Sequence, residues 1–318
     1  MTHSARIPRL SIVATLYRSS GTIAEFHARI SRAAETITPD FEIVLVNDGS
    51  PDDSAAIVER LCETDPRVVL VDLSRNFGHH AAILAGLSEA RGAWVYLTDI
   101  DLEEAPEWLP MFHEKATAES ADVVYGIQER RTGSRVDNFL GSSFWKLLNA
   151  GSLVPIPANQ MTCRLMSRRY LAALLEVRDK VVYLGGLFPW AGFRQVPVPL
   201  VKGARKDGSR STYGLGRKLR QVVESVTSFT AAPLTLFFLV GLTIWVGSIL
   251  FGISLVVRKL MAPDQILDGF TSVMFSIWFL GGLVIIGIGL LGQYLSKIFQ
   301  ETKDRPRYIV RSVLRKDP

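Results

Sequence analysis

The sequence predicts an α/β protein in which a mostly parallel sheet precedes helices that lie on and cross a membrane. Three observations predict this fold class. Short apolar runs alternate with helical patterns between residues 10 and 97. Acidic residues follow directly after the fourth apolar run. Two later stretches, 231–257 and 271–296, contain no Asp, Glu, Lys or Arg.

The alternation of strands and helices indicates the type of sheet. Strands that alternate with helices of ordinary length are typical of βαβ units, and hence of a parallel sheet. Ligands of such sheets bind beyond the carboxyl ends of the strands. Apolar runs predict strands at residues 10–16, 41–46, 68–71 and 93–97, and the patterns between them predict helices at 23–37 and 55–64 and a loop and helix within 73–92.

An acidic cluster follows the fourth predicted strand. Asp99 and Asp101 are one residue apart, and Glu103 and Glu104 come next. Hard cations such as Mg²⁺ and Mn²⁺ prefer carboxylate oxygens, and a diphosphate can share the same cation. The alternative is a solvated acidic loop, or a helix N-terminus with acidic residues near Pro106. The aspartate pair is therefore the candidate metal-binding and catalytic site.

Two other predicted strands also end in polar residues. Asn47 and Asp48 open a tight turn whose carboxylate can face a nucleobase or ribose, although a helix cap at Ser50 or Asp52 explains the same residues equally well. A histidine pair at a loop is more often structural than catalytic. The third strand is followed by Asn76, Gly78, His79 and His80.

The hydrophobic residues are concentrated in the two uncharged stretches. The chain of 318 residues is 48% hydrophobic and 21% charged, and its mean hydropathy is +0.20. A helix with a rise of about 1.5 Å per residue makes each stretch roughly 40 Å long, which exceeds the ~30 Å hydrocarbon core of a bilayer. Buried core helices are the alternative, but such helices seldom run this long without a charge.

Flanking cations predict the topology. Seven cationic residues precede the first stretch between Lys202 and Arg220, and seven follow the second between Lys297 and Lys316. Between the stretches only Arg258 and Lys259 occur. The positive-inside rule then places both termini in the cytoplasm. The first ten residues lack the apolar core of a signal peptide, which predicts that the first domain stays on the side where it is made.

These patterns divide the chain into six regions. Leu215, Leu219, Val222, Val223 and Val226 recur at helical spacing among cations, which is typical of a helix lying in the membrane interface, although a core helix shows the same stripe. We predict a cytoplasmic catalytic domain (1–212), an interfacial helix (213–230), a first transmembrane helix (231–257), an external linker (258–270), a second transmembrane helix (271–296) and a cytoplasmic basic tail (297–318).

The charge of the chain indicates which binding partners are favoured, and its cysteines indicate their redox state. The net charge is +5, and much of it lies in the membrane-flanking clusters. An anionic bilayer surface and phosphate-bearing ligands are therefore favoured over nucleic acid. Cys62 and Cys163 lack metal-ligand spacing and are interpreted as reduced thiols.

An ordered set of motifs covers nearly the whole chain. It comprises SIVATLY, EIVLVNDGSPDDS, NFGHHAAILAGL, YLTDIDLEEAPE, CRLMSRR, GLFPWAGF, the basic GARKDGSRSTYGLGRKL, SFTAAPL, and the two uncharged stretches before DRPRYIV. With this set the chain resembles family 2 glycosyltransferases of the Rossmann-like GT-A fold. More narrowly, it resembles the membrane-bound polyprenyl-phosphate glycosyltransferases, the group that contains dolichol-phosphate mannose synthase and bactoprenol glucosyltransferases.

The resemblance implies a donor site. Asp99 and Asp101 match the family pair that holds the metal and the diphosphate, so Mg²⁺ or Mn²⁺ is the implied cofactor. Glu103 stands where relatives carry a metal-binding glutamine, and a carboxylate suits a hard cation at least as well. The implied nucleotide-binding residues are Leu16, Tyr17, Asp48, Asn76, Gly78 and Asp99.

The resemblance also implies an acceptor site. Arginine pairs bidentately with phosphate oxygens and stays charged near a membrane. The alternative for each arginine is a side chain that faces water or lipid headgroups. The positions that match acceptor-phosphate ligands are Gln128, Arg130, Arg131, Arg135, Ser142 and Arg164, with Ser143 beside them. Lys206 and Arg210 match a loop that closes over the diphosphates, and a polybasic stripe attracted to anionic lipid is the alternative.

Three departures from the family pattern are present. Relatives carry Pro-x-Tyr-Asn-Glu after the first strand, where this chain has Thr15, Tyr17, Arg18 and Ser19. Relatives carry an aspartate where this chain has Thr162. The basic loop reads SRSTY rather than SKY.

The implied function is transfer of a sugar from a nucleotide diphosphate to polyprenyl phosphate, with UDP, glucose and undecaprenyl phosphate favoured. A phosphate monoester is already ionised near neutral pH, so an inverting displacement needs no side chain to remove a proton. Relatives that form tetramers imply self-association. Two alternatives stay open: a saccharide-elongating transferase, which usually has a QxxRW motif that this chain lacks, and a catalytically silent scaffold.

Overall fold

The computed structural model describes residues 8–129, 157, 159–179, 183–203, 232–261 and 270–316. These residues form two compact units. The first unit contains a sheet with its flanking helices and also the C-terminal residues from Arg305 onward. The second unit contains two long helices.

The described residues of the first unit form one eight-stranded sheet. Its strand order is β7-β5-β6-β4-β1-β2-β3-β8. The strands are β1 (Leu10–Leu16), β2 (Phe41–Asn47), β3 (Val68–Leu73), β4 (Trp94–Leu97), β5 (Val123–Gln128), β6 (Gln160–Ser167), β7 (Gln195–Leu200) and β8 (Val310–Arg315). The helices are α1 (Ile23–Glu35), α2 (Ser54–Thr64), α3 (His79–Glu89), α4 (Leu109–Ala118), α5 (Arg168–Glu176) and α6 (Leu184–Trp190), with a short 3₁₀ turn at Pro106–Trp108.

The four strands predicted from apolar runs are confirmed, and they are mutually parallel. β1 pairs with β2 from Leu10 opposite Phe41 to Leu16 opposite Asn47. β1 also pairs with β4, and β2 pairs with β3. The strands read as continuous apolar runs because both faces are covered by helices. α3 lies so close to the sheet that a Cβ on Gly86 would be 2.5 Å from a Val13 methyl group.

The remaining strands make the sheet mixed. β6 runs antiparallel to both β4 and β5, and β7 runs parallel to β5. β5 and β7 therefore point the same way as β4, and their carboxyl ends lie at the same edge as those of β1 to β4. β6 begins at that edge, with Arg164 opposite Leu97.

The second unit contains α7 (Ala232–Met261) and α8 (Phe270–Thr302). The predicted transmembrane stretches 231–257 and 271–296 fall almost entirely within these helices. The predicted linker 258–270 is shorter, because 258–261 continue α7. Within the described residues, one stretch, Phe279–Phe299, is long and apolar enough to cross a membrane, with a mean hydropathy of 1.8. The predicted interfacial helix 213–230 lies outside the described residues.

The predicted basic tail 297–318 is more ordered than expected. α8 continues to Thr302, and β8 pairs antiparallel with β3 and forms the edge of the sheet. Its cations bind groups of the sheet: Arg311 Nη1 lies 3.0 Å from Asp72 Oδ2, and Arg315 forms an ion pair with Glu42. VRSVLR has no regular alternation of apolar and polar residues, so its sequence did not predict a strand. β8 pairs with the edge that β3 would otherwise leave open.

The Arg315 and Glu42 pair gives a stability prediction. Glu42 is 5% exposed, so Arg315→Ala leaves its carboxylate buried without a cation. We expect the free energy of unfolding of the first unit to fall by about 3 kcal/mol. Thermal or denaturant unfolding of the purified protein measures it. Arg311→Ala is the matched control, because its exposed pair with Asp72 is worth about 1 kcal/mol or less. Equal losses in the two variants would contradict the prediction.

Candidate active site

Polar residues from several strand ends meet at the carboxyl edge of the sheet. β1 to β4, β5 and β7 all end there, and β6 begins there. This arrangement gathers residues that are far apart in sequence. The edge carries Leu16 and Tyr17, Asp48, the loop from Asn76 to His79, the acidic loop from Asp99 to Glu104, Gln128, Thr162 and Lys202.

The acidic loop is compact and partly buried. Leu102 turns it with a φ of +63°, and its side chain is only 9% exposed. The Glu103 amide donates to Asp101 Oδ1 at 3.0 Å. Burial raises the pKa of Asp101, and the negative charges of Asp99 and Glu103 raise it further. The fold therefore holds several like charges together in a partly desolvated place.

Glu104 is fully buried and holds this loop by hydrogen bonds. Its Oε2 accepts hydrogen bonds from the Asp99 amide at 3.2 Å and the Thr98 hydroxyl at 3.3 Å. Its Oε1 accepts from the Thr162 amide at 3.0 Å. Burial, then the charge of Asp99, raises the pKa of Glu104 to about 7. The sequence placed Glu104 in the acidic cluster but gave no sign that it alone is buried.

His79 and Lys202 contact the acidic loop from different parts of the chain. His79 Nε2 lies 3.6 Å from Asp99 Oδ1, and its Nδ1 lies 3.1 Å from the Thr15 hydroxyl. Lys202 Nζ lies 3.3 Å from Glu103 Oε2. Neither residue was predicted to belong to the site. His79 was interpreted as structural, and Lys202 was noted only as one of the cations before the first hydrophobic stretch.

Asp48 holds the loop after β3. It is 3% exposed, and its two oxygens accept hydrogen bonds from the Phe77 amide at 2.7 Å and the Gly78 amide at 3.0 Å. Burial raises the pKa of Asp48, although these two hydrogen bonds oppose the shift. A Cβ on Gly49 would lie 2.5 Å from the Asn76 nitrogen, and Gly49 has a φ of +59°. Only glycine fits this crossing of two loops.

The segment after β1 departs from the family pattern but is well ordered. The Arg18 amide donates to Ser50 Oγ at 2.7 Å, the Ser19 amide to Ser54 Oγ at 3.1 Å, and the Ser20 amide to Asp52 Oδ2 at 3.1 Å. Burial would raise the pKa of Asp52, but the hydroxyl and amide donors of Ser50, Ser54 and Ser20 outweigh it and lower the pKa. Asp52 thus ties two loops together, whereas the N-cap of α2 is Asp53 rather than Ser50 or Asp52.

The two predicted nucleotide-binding residues of this segment differ in placement. The Leu16 side chain is fully buried in the core, so only its backbone faces the site, where its carbonyl accepts from the Asp48 amide at 3.1 Å. Tyr17 is 50% exposed at the edge of the sheet. Asn76 is also exposed.

The described acceptor-site candidates are Gln128 and Arg164. Gln128 is half-buried at the end of β5. Arg164 is 2% exposed, donates to the carbonyls of Met161 and Thr162, and lies 3.3 Å from the centre of the Phe188 ring. Burial lowers the pKa of Arg164 to about 10. Arg130, Arg131, Arg135, Ser142, Lys206 and Arg210 lie outside the described residues.

The acidic loop has the donor chemistry of a divalent-cation site. Asp99, Asp101 and Glu103 offer hard carboxylate oxygens. Burial and the neighbouring negative charges raise the pKa of Asp101, and the positive charge of a bound cation would stabilise its ionised form. Among the described residues, no three His, Cys, Asp or Glu side chains already have the spacing of a formed metal centre. The residues fit a cation in type and charge, and the side chains would have to close around it.

The Rossmann-like mixed sheet with an acidic loop after β4 defines a glycosyltransferase domain of the predicted GT-A class. Residues 11–175 match the model of Glycosyl transferase family 2. The chain belongs to this family, which confirms the resemblance drawn from the motifs.

Similar proteins extend over nearly the whole chain. A Mycobacterium tuberculosis (strain CDC 1551 / Oshkosh) protein, named no further than as a glycosyltransferase, is 40% identical over 310 residues, 97% of this chain and 89% of its own. The SfII prophage-derived bactoprenol glucosyl transferase of Shigella flexneri is 32% identical over 98% of this chain and 100% of its own. A prophage bactoprenol glucosyl transferase homolog of Escherichia coli (strain K12) is 30% identical over 96% of this chain and 99% of its own.

Solved structures show a more distant likeness. A mannosyltransferase from Pyrobaculum calidifontis in complex with GDP-Man and Mn²⁺ is 16% identical, with a TM-score of 0.44, over 94% of this chain and 87% of that one. A glucosyl-3-phosphoglycerate synthase from Mycobacterium tuberculosis in complex with Mn²⁺, UDP and phosphoglyceric acid is 20% identical, with a TM-score of 0.49, over 70% of this chain and 78% of that one.

The role of Glu104 gives a stability prediction. Glu104→Ala leaves the Asp99 and Thr162 amides without an acceptor, and each unpaired buried group costs about 1–3 kcal/mol. We expect a lower unfolding midpoint and faster hydrogen exchange at those two amides. Glu107→Ala is the control, because Glu107 is exposed and pairs with Arg29 at the surface. A Glu104→Ala protein with wild-type exchange at both amides would contradict this role.

His80 gives a pH prediction. It packs between His79 and Tyr183, and burial, with the neighbouring His79, lowers the pKa of His80 to about 4. In the unfolded chain His80 is protonated below about pH 6.5, whereas in the folded chain it is protonated only below about pH 4. Protonation therefore favours the unfolded chain, and His80 lowers the stability of the fold as the pH falls through that range.

His80→Gln should therefore reduce the acid sensitivity of folding. The difference in unfolding midpoint between pH 7.5 and pH 4.5 should shrink relative to the wild type, and circular dichroism at the two pH values measures it. Tyr183→Phe, which keeps the ring against His80, should retain the wild-type difference. An unchanged difference in His80→Gln would show that His80 titrates normally in the folded protein.

Proposed function

We propose that this protein transfers a sugar from a nucleotide-diphosphate donor to polyprenyl phosphate, with UDP-glucose and undecaprenyl phosphate as the leading substrates. The observation that carries the proposal is the acidic loop, held by Glu104 at the carboxyl edge of the sheet. Relatives named bactoprenol glucosyl transferase, similar over nearly their full length, support the choice of glucose and of a polyprenyl acceptor.

The donor would lie across the carboxyl edge. Asp99, Asp101 and Glu103 would hold Mg²⁺ or Mn²⁺, which supplies neutralisation of the charge that develops on the departing nucleotide diphosphate. Asp48 shapes the loop that ends in Gly78, next to the exposed Tyr17, and these residues would receive the nucleoside.

The acceptor would attack without a protein base. Its phosphate oxygen is already ionised near neutral pH and forms the new bond to the anomeric carbon, while the bond from that carbon to the diphosphate oxygen breaks. Positioning then dominates catalysis. The proposed phosphate ligands are Gln128, Arg130, Arg131, Arg135, Ser142 and Arg164, with Lys206 and Arg210 closing over the diphosphates.

The hydrophobic helices suit an acceptor that stays in the bilayer. We propose that α7 and α8 both span the inner membrane, with the catalytic unit and both termini in the cytoplasm. The stretch Phe279–Phe299 supports one span by length and hydropathy, and the uncharged sequence 231–257 supports the other. Self-association of this chain, as a tetramer or otherwise, is part of the same proposal.

Transfer from a panel of labelled donors to undecaprenyl phosphate tests the function. The wild type in detergent or nanodiscs should transfer glucose from UDP-glucose, and should lose activity when divalent cations are chelated. Asp101→Asn should reduce transfer by about 10²-fold or more, because charge neutralisation at the leaving group is lost.

Glu107→Gln is the matched control and should retain activity, because Glu107 pairs with Arg29 at the surface. If folded wild-type protein transfers sugar from none of the donors, the proposal is rejected and a silent scaffold is favoured. Transfer to free oligosaccharides instead of the lipid would favour the elongating transferase.

A further inference from the structure

Lys202 contacts the acidic loop from the segment that follows β7. It lies two residues after the end of this strand, and its Nζ lies 3.3 Å from Glu103 Oε2. The side chains of Lys202 and Glu103 are 30% and 15% exposed, so water screens the pair only partly. The Gly203 amide donates to the Glu103 carbonyl at 2.9 Å, which ties the backbone beside the lysine to the same loop.

The charge of Lys202 acts on the whole cluster. Burial would lower the pKa of Lys202, but the carboxylates of Glu104, Glu103 and Asp99 outweigh it and raise the pKa, so the ammonium stays charged. In turn, Lys202 opposes the rise in the pKa of Asp101 that burial and like charges cause. One positive side chain therefore offsets part of the repulsion that a bound cation would also offset.

A lysine side chain is suited to leave a carboxylate when a metal ion binds there. Its ammonium is a compact charge on a flexible four-carbon stem, whereas the backbone of Glu103 is held by hydrogen bonds of its amide and its carbonyl. A divalent cation and an ammonium repel each other when both approach the same carboxylate. The strongly hydrated ammonium also binds phosphate as a point charge.

We propose that Lys202 is the resident counter-ion of the acidic loop in the metal-free protein. Binding of a divalent cation displaces its ammonium from Glu103, and the freed ammonium pairs with the donor diphosphate. This inference rests on the proposed function for its second half only. The first half concerns the cation and this chain's own residues, and direct metal binding tests it.

The experiment titrates the full-length protein with Mn²⁺ alone and measures free Mn²⁺ by electron paramagnetic resonance. Lys202→Met should bind Mn²⁺ roughly three- to tenfold more tightly than the wild type, because a competing charge is removed. Lys202→Gln should do the same and serves as the second variant if Lys202→Met does not fold. Lys115→Met is the matched control, because it removes the same charge from an i,i+4 pair with Glu119 on α4 and should leave Mn²⁺ affinity unchanged.

Sugar-transfer assays then test the second half of the inference, the pairing of the Lys202 ammonium with the donor diphosphate. At saturating Mn²⁺, Lys202→Met should raise the KM for the nucleotide-sugar about tenfold. If Lys202 had only a structural role, its substitution would weaken the binding of both Mn²⁺ and the donor. Tighter Mn²⁺ binding together with weaker donor binding therefore distinguishes the counter-ion role from a structural one. Unchanged or weaker Mn²⁺ binding in both Lys202 variants, or no Mn²⁺ binding by the wild type, would overturn the inference. Tighter Mn²⁺ binding without sugar transfer by any variant would uphold the counter-ion role and reject the proposed function.

Discussion

The structure depends on keeping several carboxylates together at the end of β4. Burial and mutual repulsion make this arrangement unfavourable, as the raised pKa of Asp101 indicates. The buried Glu104 holds it by accepting hydrogen bonds from the Asp99 amide and from the Thr162 amide of β6. The antiparallel direction of β6 matters here, because it places the N-terminal half of β6, with Arg164 opposite Leu97, at the end of β4. The mixed sheet is therefore a requirement of the site.

Neighbouring loops reinforce the same edge by donating to carboxylates. Asp48 accepts amides from the loop after β3, and Asp52 accepts an amide from the loop after β1. These contacts join the loops after β1 and β2 and the loops after β2 and β3, so successive βαβ units contribute to the same edge. His79 and Lys202 then contact the acidic loop from two further parts of the chain, and Lys202 adds positive charge.

Local patterns were enough to predict the parallel half of the fold. The strands β1 to β4 are continuous apolar runs that end in polar residues, and the acidic loop follows the last of them. Tertiary pairing decided what sequence could not show: which of two adjacent glutamates is buried, and that VRSVLR of the C-terminal tail forms the edge strand β8. Lys202 belongs to the site because β7 runs parallel to β5, a pairing that no local pattern specifies.

Two of the three departures from the family pattern lie in the part of the chain that the structure describes. After β1 the amides of Arg18, Ser19 and Ser20 donate to Ser50, Ser54 and Asp52, so that loop is ordered without an acidic residue of its own. At Thr162, where relatives have an aspartate, the backbone amide binds the buried carboxylate of Glu104. A phosphate acceptor is already ionised and needs no base there. Both segments therefore keep the backbone contacts that hold the edge of the sheet together, which favours the proposed transfer over a silent scaffold.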